Sequence, residues 1–71
     1  MMYLVIAYRF GMLEGYSFPI GIFNSPEEAS KAAKQHRELR GGKYDHRMYH
    51  IEPGKEYDAE QCKSTWITGK N

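Results

Sequence analysis

The chain has 71 residues, 41% of them hydrophobic and 14% aromatic, which is enough for one small domain over residues 1–71 and no more. Ten basic against nine acidic side chains leave a net charge of +1, too little for the general field of a strong nucleic-acid or membrane binder. The single cysteine, Cys62, excludes a disulfide within the chain.

Ordering a chain of this length costs on the order of 100 kcal/mol of conformational entropy, which so small a core barely offsets, so self-association or a bound partner is expected. A lone thiol is easiest to keep in a reducing compartment. The first 25 residues lack the basic start, apolar run and small-residue cleavage site of a secretory signal, and the expected location is the cytoplasm. The near-apolar stretch 1–8 falls far short of the roughly 20 residues that cross a bilayer, and Arg9 closes it.

Residues 3–10, Tyr-Leu-Val-Ile-Ala-Tyr-Arg-Phe, are rich in branched and aromatic side chains and predict a strand. Alternation sends Leu4, Ile6, Tyr8 and Phe10 to one face and Tyr3, Val5, Ala7 and Arg9 to the other. A strand apolar on both faces is central and covered twice. With one good helix to cover it, the second cover is expected to come from another copy of the protein, docked across the Tyr3, Val5, Ala7 face.

Gly11 and Gly15 bracket a turn-like stretch, and residues 16–23 resume a strand pattern, which predicts an antiparallel hairpin. Pro19 has no N–H to give, so this second strand belongs at a sheet edge or a bulge, and Gly21 also fits a bend there. In Asn24-Ser25-Pro26-Glu27-Glu28, Ser25 and Glu28 form a capping box and Pro26 stands at the first helical position, where its missing N–H costs nothing. The helix runs from about Pro26 to Arg40, acidic at its start and basic toward its end, until Gly41-Gly42 stops it. Its apolar stripe, Ala29, Ala32, Ala33, His36 and Leu39, is mostly small and suits large side chains rising from the sheet.

Residues 44–52 predict a third strand, with Tyr49 and Ile51 on one face and His46, Met48 and His50 on the other, and no signal as to which face turns inward. Pro53-Gly54 marks a turn, 53–63 a polar loop, and 64–71 a tail or short strand carrying Trp66 and Ile67. The fold class is α+β: a small antiparallel sheet of three or four strands packed on one helix, in the order ββαβ.

The junction Gly21-Ile22-Phe23-Asn24-Ser25-Pro26-Glu27-Glu28-Ala29, behind a hairpin that starts Tyr3-Leu4-Val5, resembles small uncharacterised ββαβ proteins of bacteriophages and mobile elements. The likeness spans residues 3–52. It implies a protein that binds and blocks a host enzyme or defence complex, and it carries over no functional residue.

No residue pattern identifies a reaction or a ligand, and no cofactor is implied. His46, Met48 and His50 share a strand face, but two histidines four residues apart on a strand stand about 13 Å from each other, too far to ligate one ion even with Cys62 added. Nothing in residues 60–64 resembles a strained turn or an oxyanion hole that would make Cys62 a nucleophile, so no catalytic residue is assigned and an enzyme is the least expected class.

Charge, by contrast, is segregated. Lys31, Lys34, Arg37, Arg40, Lys43 and Arg47 face only Glu38 and Asp45, while Glu52, Glu56, Asp58 and Glu60 face only Lys55. Such polarity orients an acidic partner, a nucleic acid or a second subunit. Six tyrosines, one tryptophan and four methionines are more interface-prone side chains than one small domain buries. Tyr3, Val5, Arg9, Arg37, Arg40, Tyr44, Arg47 and Tyr49 are the expected partner-binding residues. The expectation is a protein-binding module, a homodimer; the alternative is a nucleic-acid-binding accessory protein that uses the basic helix end and exposed tyrosines.

Overall fold

The computed structural model describes residues 1–9, 17–58 and 60–68, the Thr68 side chain excepted. The turn expected at 11–15 and the tail at 69–71 lie outside them. Four strands and one helix follow in the order β1 (Met2–Arg9), β2 (Phe18–Phe23), α1 (Pro26–Leu39), β3 (Tyr44–Ile51) and β4 (Ser64–Thr68). The sheet is antiparallel throughout, with strand order β2-β1-β3-β4. The two longest strands, β1 and β3, sit in the middle, and the fold is the expected small α+β sheet with one helix.

Pro19 explains why β2 is an edge: it cannot donate to a second neighbour. Val5 pairs with Gly21 and Ile6 with Pro19, so Ile20 is an extra residue bulging from β2. The bulge turns Ile20 toward the core, where it packs with Phe23 and Tyr3. A Cβ on Gly21 would come within 2.9 Å of the Phe23 ring, and glycine lets that ring fold back over the strand.

The start of α1 is close to the expected capping box. Ser25 Oγ accepts from the Glu28 amide at 3.2 Å, but the Glu28 carboxylate accepts from the Asn24 amide rather than from Ser25 itself. At the other end Gly41 and Gly42 take left-handed φ values of 70° and 75°. Their amides return to the carbonyls of Glu38 and Arg37, a Schellman closure that leaves the last helical carbonyls satisfied. Glu52-Pro53-Gly54-Lys55 makes the turn expected after β3, with Lys55 donating to the Glu52 carbonyl and Gly54 at φ 78°.

Val5, Ala29, Ala33 and Met48 form the core, ringed by Tyr3, Ile20, Phe23 and Ile67. Two expectations are corrected here. The Tyr3, Val5, Ala7 side of β1 is the side the helix covers, and Val5 and Ala7 are 0% exposed. It therefore cannot carry a second subunit. The alanine stripe meets large strand side chains as expected: Ala29 and Ala33 pack with Val5 and Met48, and Tyr3, Ile20, Phe23 and Ile67 pack against that cluster. Leu39, counted in the stripe by its spacing, is instead 84% exposed at the last position of the helix.

Replacing Ala33 with Leu is expected to cost about 1–3 kcal/mol in urea unfolding, since overpacking has no void to fill, whereas Leu39→Ala should stay within about 0.5 kcal/mol.

Candidate functional site

With one side of the sheet under α1, alternation places Leu4, Ile6 and Tyr8 of β1 on the other side. Register adds the rest. Ile22 pairs with Leu4, Tyr49 with Leu4, Arg47 with Ile6, and Trp66 with Arg47, so these side chains share one face. Ile22 is 54% exposed; Leu4, Ile6, Tyr8, Arg47, Tyr49 and Trp66 are partly buried against one another. No helix among the described residues covers this side.

Its polar centre is tightly held. The Tyr8 and Tyr49 hydroxyls are 2.5 Å apart, and the Tyr8 and Trp66 rings meet edge to face with centroids 5.8 Å apart. The Arg47 guanidinium stands 5.0 Å from the Trp66 ring centre and 5.7 Å from that of Tyr49, and it donates to Ser64 Oγ at 2.7 Å. Its Nε is buried without a partner among the described residues. A cation held over two rings and bonded to a hydroxyl has few rotamers left to lose on binding.

The expected site residues divide between the two sides. Arg47 and Tyr49 belong to the open face. Tyr3 and Val5 lie under the helix, Tyr3 with its ring 5.3 Å from that of His50. Tyr44 packs between Phe18 and His36, with ring centres 5.7 and 5.3 Å away. Arg37 pairs with Asp45 at 3.2 Å, Arg40 caps the helix, and Arg9 is exposed at the end of β1. Leu4, Ile6, Tyr8, Ile22 and Trp66 were missed because nothing in the pattern of β1 says which of two apolar faces meets the helix. The size of Ala7 was the available signal: a small strand residue suits a small helix stripe.

Under the helix the strand histidines turn inward. His46 is 0% exposed, and its Nε2 lies 2.8 Å from Nδ1 of His36 on α1. The two rings cross at 86° and His36 fits edge-on against Phe18 and Tyr44. Such a contact holds one proton between two nitrogens and has no room for a second. Burial, then the neighbouring His36 and Arg37, push His46 down to about 4; burial and Arg40 lower His36. Among the described residues no group of three His, Cys, Asp or Glu side chains is placed to hold a metal ion. No helix among them is long and apolar enough to cross a membrane.

Comparison with known protein families, with characterised proteins and with solved structures finds no match to this chain.

The histidine pair makes stability pH-dependent. The unfolded chain takes up a proton near pH 6.5 and the folded one near 4, so the stabilisation is complete above about pH 6.5 and is lost as pH falls toward 4. Between pH 7 and pH 5 the unfolding free energy is expected to drop by about 2 kcal/mol from His46. Urea titrations at the two pH values test this, and in His46→Gln the difference should shrink.

Proposed function

We propose that this chain is a small non-enzymatic protein-binding module that acts by occupying a surface of its partner. The open sheet face is the docking surface, and the partner offers an apolar patch with a carboxylate to meet Arg47. One observation carries this reading: aliphatic Leu4, Ile6 and Ile22 and aromatic Tyr8, Tyr49 and Trp66 surround a pre-ordered arginine on the side that no helix among the described residues covers. Tyr, Trp and Arg are the residues that dominate interface centres, and a desolvated arginine selects against partners that leave it unpaired. The resemblance of residues 3–52 to phage and mobile-element proteins fits the same reading, with a host or defence protein in the cytoplasm as the class of partner.

The nucleic-acid alternative draws less from this geometry. Stacking bases need free ring faces, and Arg47 already stands over Tyr49 and Trp66. The basic hollow lined by Lys34, Arg37, Glu38, Gly41 and Gly42 is on the helix end, across the sheet from those rings, and contains an acid.

In-cell photo-crosslinking tests the proposal. A photoreactive phenylalanine at Leu4 is expected to yield a discrete protein adduct that the same group at exposed Gln35, on the helix, does not. Ile22→Glu, a charge on the exposed rim of the same face, should lower the yield more than about tenfold with the fold unchanged. A nuclease-sensitive adduct would favour the alternative, and equal yields from both positions would remove the face from consideration.

A further inference from the structure

The two edges of the sheet are not alike. β2 is guarded by Pro19 and by its bulge at Ile20, which together spoil a straight row of donors and acceptors. β4, Ser-Thr-Trp-Ile-Thr, contains no proline and no charge, and among the described residues its outer side pairs with nothing. We propose that β4 pairs antiparallel with β4 of a second copy of this chain, about a two-fold axis near Trp66, joining the two sheets edge to edge.

The register says which groups are available. His50 donates to the Lys63 carbonyl at 3.0 Å, so the Lys63 backbone faces β3, and by alternation so does that of Thr65. Ser64 and Trp66 then direct their N–H and C=O outward. Trp66 is the middle residue of β4, and a two-fold axis there lets it exchange both hydrogen bonds with its own counterpart. Its indole is already held by Arg47 and Tyr8, so little side-chain freedom is lost at the seam.

Charge selects a second copy as the occupant. The loop from β3 to β4 carries Glu52, Glu56, Asp58 and Glu60 against Lys55 and Lys63 at one end of the sheet, the same end as the helix start with Glu27 and Glu28. Arg9, Arg37, Arg40 and Lys43 outnumber Glu38 and Asp45 at the other end, where α1 stops and β3 begins, Arg37 being paired with Asp45. Antiparallel pairing reverses one copy relative to the other, so each acidic loop comes alongside a basic helix end, twice over by symmetry. A parallel or unrelated strand would satisfy the edge but not this polarity. The edge and the open face are different surfaces, and both can be occupied at once.

The full-length wild-type chain provides the test. Sedimentation at about 1 mM is expected to give twice the 8.3 kDa chain mass, dissociating on dilution. Over the same range the amides of Ser64 and Trp66 should exchange with solvent at least about tenfold more slowly in the concentrated sample. Thr65→Lys, at an exposed side chain, puts a charge on the edge and should return the mass to that of one chain. A single-chain mass at every concentration, or a dimer whose Trp66 amide exchanges as fast as in the dilute protein, overturns the proposal, as does a Thr65→Lys protein that still dimerises.

Discussion

The seating of an alanine-striped helix on Val5 and Met48 is the contact on which the rest of this protein depends. A four-stranded sheet has two faces and the described residues supply one helix to cover them, so whichever face meets the helix becomes core and the other becomes surface. Ala29 and Ala33 bring little area of their own; their contribution is proximity, which draws Tyr3, Ile20, Phe23 and Ile67 into a ring around the contact. Larger residues at the centre would lift the helix and open that ring.

The same choice decides the polar chemistry. Turning Val5 and Ala7 inward also turns inward their cross-strand neighbours Met48 and His46, since paired residues share a face. A histidine thus enters the core, and it is tolerated because His36 arrives from the helix at hydrogen-bonding distance. The arrangement stays neutral and favourable only while neither ring is protonated. On the other side, Arg47 goes outward with Tyr49, and the guanidinium finds two rings and a hydroxyl instead of bulk water.

Surface, edge and charge then complement one another. The uncovered face concentrates aromatic and aliphatic side chains around a fixed cation, one edge strand is guarded while the other pairs with nothing further among the described residues, and acids predominate at one end along the strand direction and bases at the other. In so small a domain these features compete for few residues, and each strand supplies both a core side chain and a surface one.

Local signals in the chain were sufficient for the elements. Ser25-Pro26 and Gly41-Gly42 delimit α1 through backbone hydrogen-bonding needs that are satisfied within a few residues, Pro19 assigns β2 to an edge because it lacks an N–H, and Pro53-Gly54 is a turn wherever it stands. The strand order and the identity of the buried face were decided only in the tertiary structure. Leu4-Ile6-Tyr8 and Tyr3-Val5-Ala7 are both apolar, and alternation is blind to which set is inside until a helix is placed over one of them. For the same reason Arg47 and Tyr49 could be named from composition, whereas their grouping with Tyr8 and Trp66 required the pairing of strands far apart in the chain.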